Sequence, residues 1–221
     1  LKGGEAISSL VKGLEGRGFS WAYRTIDSQS FGVPQRRRRV FLLASKTRDP
    51  RSVLFGGKGR ADCLPDPRTA DVDSAPIGFY WTEGTYATGL AVDAIPPLKG
   101  GSTIGIPSPP AVLFPDGVVR TPDILDAERL QGFPEDWTEP ASSVGRSSLR
   151  WRLLGNAVTV PVSEWIARRI LKDSRHGQTP SKRLAADEPW PESAWGAHGE
   201  RFAVASGPSP RTLKRSSLAK F

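Results

Sequence analysis

The sequence predicts an α/β protein with a separate, loop-rich β region. Three observations support this fold class: a helix, strand, strand order at the start, a Gly-, Pro-, Ser- and Asp-rich texture from Lys46 to Val119, and helical periodicity after it. We therefore expect four segments: residues 1–45 as the end of an α/β domain, 46–119 as the β region, 120–172 as a hinge helix followed by a returning helix, and 173–221 as a tail.

The first segment reads as one helix followed by two strands. The stretch "EAISSLVKGLEGR", Glu5 to Arg17, spaces its apolar residues three and four apart, and Gly18 provides a stop. "FSWAYRTIDS" follows as a strand, and a turn through Gly32 and Pro34 leads into a second strand, "VFLLAS". The two strands around this turn are candidates for antiparallel pairing.

Four consecutive arginines, Arg36 to Arg39, directly precede the second strand. Taken alone, such a run is most often a solvated or nucleic-acid-binding patch. If the strand begins near Gln35, then Gln35, Arg37 and Arg39 share one face, and Arg36 and Arg38 point to the other. A buried guanidinium requires anionic or carbonyl partners, so the run contains two interleaved sets with different roles.

The second half of the chain predicts two helices and a tail. In "TPDILDAERLQGFP", Asp123 is a capping residue, Asp126 favours the positive end of the helix, and Gly132 ends it. "VPVSEWIARRIL" predicts a second helix from about Val160 to Leu171. Beyond Lys172 the chain is rich in Pro, Gly, Ser and basic residues, so we expect a basic, partly disordered tail.

Composition narrows the class of protein. A net charge of +8 and a pI near 10.0 favour a polyanionic partner. The single cysteine excludes an internal disulfide framework, no apolar stretch approaches the roughly 20 residues that span a bilayer, and no signal peptide precedes the first helix. These features predict a cytoplasmic protein. Because the chain opens at Leu1 and has no methionine, we expect a fragment of a longer protein.

Three stretches carry a family resemblance: the arginine block "QRRRRVF" (Gln35–Phe41), the helix block "ERLQGFP" (Glu128–Pro134) and the turn block "GNAVTVPV" (Gly155–Val162). In this order they resemble the last three conserved blocks of the cytosine-C5 DNA methyltransferases, and the resemblance covers about Phe19 to Leu171. It implies the C-terminal part of a class I S-adenosylmethionine-dependent methyltransferase (Rossmann-like) fold, with 46–119 as the target recognition domain. The entry to the helix block departs from the family, because Pro122-Asp123-Ile124 replaces Leu-Thr-Pro and Asp126 replaces Glu.

The resemblance assigns roles to the residues of these blocks. The family's Gln, Arg, Arg at alternate positions falls on Gln35, Arg37 and Arg39, which implies that Arg39 contacts the O2 edge of a flipped cytosine and that Arg37 supports the site. Asn156 and Ala157 resemble residues that close the S-adenosylmethionine pocket, although Asn156 could equally cap a helix. Asp126 and Arg129 are expected to be scaffold. The expected DNA contacts are Arg36, Arg38, Lys99, Ser102 and Thr103.

Several parts of the family pattern have no counterpart in this sequence: the glycine-rich cofactor loop, the Pro-Cys nucleophile and the Glu-Asn-Val block. Cys63, in "ADCLPD", lacks the nucleophile's context, and neither His176 nor His198 has partners for a metal site or a triad. We therefore expect no metal.

The sequence is thus interpreted as the C-terminal portion of a DNA (cytosine-5)-methyltransferase, from a bacterial or phage restriction-modification system. It would transfer a methyl group from S-adenosylmethionine to duplex DNA, and it would be inactive without an N-terminal half encoded upstream or as a separate subunit. The alternative is a non-enzymatic DNA-binding remnant or specificity subunit. An RNA-binding protein is less favoured, because no aromatic-studded recognition motif is present.

Overall fold

A computed structural model describes residues 4–55, 74–80, 89–100, 109–145, 148–172, 180–205 and 216–220. The chain forms two compact units that interleave along the sequence. The first unit comprises Leu1–Ile26, Arg38–Ala61 and Trp165–Pro210, and the second comprises Asp27–Arg37, Asp62–Glu164 and Arg211–Phe221.

The described residues form five α-helices and nine strands, which are numbered here in chain order. They are α1 Glu5–Glu15, β1 Ser20–Asp27, β2 Arg38–Ser45, α2 Arg51–Leu54, β3 Ile77–Phe79, β4 Leu90–Val92, β5 Ala111–Leu113, β6 Val119–Arg120, α3 Ile124–Gln131, α4 Ser148–Asn156, α5 Val160–Leu171, β7 Ser181–Arg183, β8 Ser193–Ala197 and β9 Glu200–Val204. None of the helices in this described part is long and apolar enough to cross a membrane.

The first unit contains a five-stranded sheet in the order β2-β1-β8-β9-β7. β8 pairs antiparallel with both β1 and β9, and β7 pairs antiparallel with β9. The apolar stripe of α1, with Ile7 and Val11, packs on Trp21, Tyr23 and Ala194 of this sheet. The helix that the sequence predicts at the start of the chain, and the strand after it, are therefore confirmed.

Within the expected tail, residues 180–205 contain three strands of this sheet, which the sequence did not predict. β8 lies close against β1: a Cβ on Gly196 would stand 2.5 Å from the Trp21 ring, so glycine permits the approach. Trp190 packs on Trp21 and Tyr23 at ring-centroid distances of 5.7 and 6.0 Å. The tail's aromatic and small residues thus supply the contacts that order it.

The second unit contains a four-stranded antiparallel sheet in the order β4-β3-β5-β6. Its core joins this sheet to α3 and α4, and its largest buried members are Ile95, Leu98, Leu130, Leu154 and Leu218. The predicted start and stop of α3 are confirmed, since Asp123 and Asp126 form a reciprocal capping box and Gly132 ends the helix in the left-handed region.

One helix of the second unit, α4, has no prediction from the sequence. Its buried side chains are Arg150 and Leu154, so its inward face carries a charge as well as an apolar group. That composition conceals the apolar periodicity by which the other helices are recognised. The described residues form a mixed α/β structure with antiparallel sheets.

Candidate functional site

The three family blocks meet in one buried hydrogen-bond network of the second unit. The Gln35 side chain donates from Nε2 to the Leu130 carbonyl at 3.0 Å and to Gln131 Oε1 at 3.2 Å. Gln131 donates from Nε2 to the Leu154 carbonyl at 2.6 Å, and Thr159 donates from Oγ1 to Gln131 Oε1 at 2.9 Å. Both glutamine side chains are fully buried. Because a buried amide is costly when its partners are lost, this network ties the blocks to one another.

Arg37 extends the network to the turn block. Its guanidinium donates from Nη2 to the carbonyls of Gly155 at 2.9 Å and Ala157 at 3.0 Å, the two residues that flank Asn156. The side chain is buried, and the Arg37 amide donates to Asp27 Oδ1 at 3.2 Å. Since its guanidinium holds backbone carbonyls, Arg37 acts on the conformation of the turn that presents Asn156.

Asn156 is the last residue of α4, and its side chain is exposed. It lies four residues before the first residue of α5, Val160, so it does not cap that helix as the alternative from the sequence proposed. The amide of Ala157 donates to the Leu153 carbonyl at 2.9 Å, which closes the end of α4. The turn block therefore presents Asn156 outward from a backbone that Arg37 holds.

Lys99, one of the predicted DNA contacts, and its neighbour Gly100 lie beside this turn. A Cβ on Gly155 would stand 2.7 Å from the amide nitrogen of Gly100 and 2.9 Å from the carbonyl carbon of Lys99. Only a residue without a side chain fits this approach. Glycine at position 155 therefore lets the backbone of Lys99 and Gly100 pack directly on the C-terminal end of α4.

Arg39 occupies a different environment from Gln35 and Arg37. The strand β2 begins at Arg38, not near Gln35, and the Arg39 side chain is exposed in the first unit. Its Nη1 donates to the Arg38 carbonyl at 2.8 Å, and no carboxylate in the described part of the chain forms an ion pair with it. The burial pattern predicted for the arginine block thus holds for Gln35 and Arg37, whereas Arg39 keeps its charge in solvent.

The candidate DNA contacts have different surroundings. Arg36 is exposed, and Arg38 is exposed and forms an ion pair with Glu192 within the first unit. The ammonium of Lys99 lies 3.7 Å from the centroid of the Tyr80 ring, and partial loss of solvation lowers the pKa of Lys99. Ser102 and Thr103 fall outside the described residues.

A second polar cluster in the second unit was not anticipated from the sequence. Glu128 is fully buried, and its Oε1 accepts from the amide of Thr138 at 2.7 Å and from Arg150 Nη2 at 3.1 Å. Burial alone would raise the pKa of Glu128, but the hydrogen bonds from Thr138 and Arg150 outweigh it and lower that pKa. Glu128 lies three residues before the buried Gln131 on α3, which indicates an inward face. Its partners lie on other elements and carry no signal in the sequence.

Two further expectations concern the scaffold residues and metal binding. Arg129 forms ion pairs with Asp126 at 2.6 Å and with Glu135 at 2.5 Å, contacts that stay within α3 and the turn after it. Among the described side chains, no group of His, Cys, Asp and Glu could hold a metal ion. His198 lies in the β8–β9 turn with φ 53, and Cys63 and His176 fall outside the described residues.

Comparisons with known proteins agree with the order of the three blocks. The sequence pattern of the family described as "C-5 cytosine-specific DNA methylase" matches residues 2–65 and 116–172. The chain is 45% identical over 209 residues to the Type II methyltransferase M2.BsuMI of Bacillus subtilis (strain 168), an alignment that covers 92% of this chain and 53% of that protein.

More distant relatives cover a similar part of the chain. The Type II methyltransferase M.BspRI of Lysinibacillus sphaericus is 23% identical over 83% of this chain and 52% of its own length. M.MspI of Moraxella sp is 24% identical over 76% of this chain and 42% of its own length. The chain thus spans about half the length of the curated relatives that it matches most extensively. Because the family pattern matches more than half of its residues, the chain belongs to the C-5 cytosine-specific DNA methylase family.

Proposed function

We propose that this chain is the C-terminal portion of a DNA (cytosine-5)-methyltransferase, the portion that orients the target base and reads duplex DNA. The observation that carries the proposal is the buried network in which Gln35, Gln131 and Thr159 join the three family blocks. Residues of all three blocks by which the family is recognised are thus held together in one folded unit. Family membership supports the same reaction class.

Arg39 is the residue proposed to act on the target base. It is an exposed cation near the start of β2, and no described carboxylate forms an ion pair with it. When a thiolate attacks C6 of a cytosine flipped out of the duplex, electron density moves toward N3 and O2 of the ring. A fixed guanidinium at O2 stabilises charge where it develops, which is the role we assign to Arg39.

Arg37, Asn156 and Ala157 are proposed to shape one wall of the cofactor pocket. Arg37 holds the two carbonyls beside Asn156, and Asn156 is exposed, so its amide can donate to and accept from a polar ligand. S-Adenosylmethionine would supply the methyl group that C5 receives. These residues fit a polar cofactor, because Arg37 fixes the backbone of the turn and the Asn156 side chain is exposed.

The region 46–119 is proposed to be the target recognition domain. Its described part contains β3, β4 and β5 of the second unit's antiparallel sheet, and Lys99 and Gly100 after β4. Lys99 and Arg36 supply positive charge for backbone phosphates, and the partner is double-stranded DNA. Ser102 and Thr103 remain candidates for base contacts, and the segments 1–45, 120–172 and 173–221 keep the roles expected above.

The nucleophilic cysteine and the rest of the cofactor pocket are proposed to come from an N-terminal portion, either in the same chain or as a separate subunit. β2 supports this, because it forms an edge of its sheet over eight residues, and Val40 on it is 44% exposed. An apolar edge strand offers unpaired backbone groups to a further strand. The complete domain would then be a Rossmann-like methyltransferase in the bacterial cytoplasm.

Methyl transfer from labelled S-adenosylmethionine to mixed-sequence duplex DNA tests the proposal. The chain is assayed alone and together with the part of M2.BsuMI that lies outside the aligned region. We expect label in cytosine C5 only when both parts are present. If neither condition gives transfer while the chain still binds duplex DNA, the chain is a recognition module and the methyltransferase proposal is wrong.

A further inference from the structure

A basic groove lies in the first unit, beside the ends of β2 and α5. It has a volume of about 630 Å³, within the range of sites that bind small ligands. Its wall includes Arg48, Arg51, Arg169 and Lys172, against one acidic side chain, Asp49. The groove therefore carries a surplus of positive charge.

Backbone carbonyls hold two of these arginines in place. Arg48 donates from Nη1 to the Ile170 carbonyl at 2.9 Å. Arg169 donates from Nη2 to the Ser52 carbonyl at 2.7 Å and from Nε to the Val53 carbonyl. A carbonyl carries no net charge, so these bonds fix the guanidinium planes without neutralising them. The two cations are thus positioned before any ligand arrives.

The charge of the groove is incompletely balanced. Asp49 is engaged by Arg51, whose Nη2 lies 2.7 Å from Oδ2. Burial lowers the pKa of Arg169, as expected for a cation that has lost water without gaining an anion. The Lys172 side chain forms no ion pair or hydrogen bond with any described residue. An anionic ligand would relieve this imbalance.

We propose that this groove binds a phosphate group through Arg48, Arg169 and Lys172. Guanidinium groups match phosphate oxygens in a bidentate geometry, and an ammonium adds a point charge. The site is separate from Arg39: that residue lies near the start of β2, about 20 Å from the last strand residue, Ser45, at ~3.3 Å per residue, and Arg48 lies beyond that end. The phosphate belongs either to a DNA backbone or to a free phosphate compound.

Calorimetric titration with inorganic pyrophosphate tests this site in the full chain. We compare the wild type with Lys172→Gln, Arg48→Gln and the control Arg17→Gln, which removes the same charge from an exposed arginine that donates to the Gly13 carbonyl at 2.8 Å. We expect Lys172→Gln and Arg48→Gln each to weaken binding at least about tenfold, the scale of one lost charge-assisted contact, and Arg17→Gln to leave it unchanged.

Three results would overturn the proposal: no pyrophosphate binding by the wild type, unchanged binding in both groove variants, or an equal loss in Arg17→Gln. Lys172→Gln keeps the test valid if Arg48→Gln unfolds, because the lysine side chain holds no described element in place. The salt dependence of duplex binding identifies the source. If the groove variants reduce the slope of log K for duplex binding against log[salt] by about 0.9 per lost contact, the phosphate belongs to DNA. If their slope equals that of the wild type, the phosphate belongs to a free compound.

Discussion

The contact between Arg37 and the turn block can be tested by Arg37→Met, which removes the guanidinium and keeps an unbranched stem. The variant loses two hydrogen bonds, to the carbonyls of Gly155 at 2.9 Å and Ala157 at 3.0 Å. A hydrogen bond from a charged donor contributes about 1.5 kcal/mol or more, so the free energy of unfolding should fall by about 3 kcal/mol. With a urea m-value of about 2–3 kcal/mol/M, the urea midpoint falls by about 1 M.

Tryptophan fluorescence in urea measures this change, and Arg36→Met is the matched control. Arg36 is exposed, so its replacement should change stability by no more than about 0.5 kcal/mol. In the assembled methyltransferase, Arg37→Met should raise the KM for S-adenosylmethionine and leave the KM for DNA unchanged, a separation that simple destabilisation does not produce. A midpoint within about 0.2 M of the wild type, or a change in the KM for DNA alone, would refute this account of Arg37.

Two further predictions concern the second unit. Folding lowers the pKa of Glu128, so its stabilisation is present above the ordinary glutamate pKa of about 4.3 and is lost as pH falls through the lower folded value. In urea unfolding at several pH values, Glu128→Gln should lose less free energy of unfolding on acidification than the wild type. An equal pH dependence of that free energy in the two proteins would contradict the lowered pKa. Gly155→Ala should destabilise the chain by about 1–3 kcal/mol, because its Cβ would stand 2.7 Å from the Gly100 amide nitrogen. The control Gly13→Ala on α1 should be neutral or stabilising, because its Cβ would meet only the Arg17 guanidinium at an ordinary 3.6 Å. Equal unfolding free energies for the two alanine variants would show that Lys99 and Gly100 move aside.

The sequence predicts those elements whose apolar periodicity and capping residues lie within the element itself. The apolar spacing of α1 and α5 and the capping residues of α3 each lie within one element, and the structure places these helices where the sequence does. α4 escaped prediction because Arg150 takes an inward position that an apolar residue would normally fill. The strands of the tail were not predicted, because each strand is short and its stability depends on distant contacts such as that of Trp190 with Trp21.

For the candidate site as well, the sequence predicted some features, and others depend on contacts between distant residues. Strand alternation indicated inward positions for Gln35 and Arg37, and both are buried. It did not indicate that β2 begins at Arg38, which leaves Arg39 exposed. The partners of the buried pair, such as Gln131 and Ala157, lie about 95 to 120 residues away, so only the folded chain shows them. Local patterns thus identified the residues, and tertiary structure determined what each one contacts.

The most direct test of the central claim compares Arg39→Ala with Arg38→Ala in the chain assembled with its N-terminal portion. The two residues are adjacent exposed arginines, but Arg38 forms an ion pair with Glu192, whereas we assign Arg39 to the target cytosine. The measurement is kcat for methyl transfer at saturating duplex DNA, because the loss of a DNA contact from Arg38 would change KM rather than kcat. We predict that Arg39→Ala lowers it by about a hundredfold or more, the scale of removing one donor from developing negative charge, and that Arg38→Ala changes it less than about threefold. Equal rates for both variants, or a larger loss in Arg38→Ala, would contradict the claim.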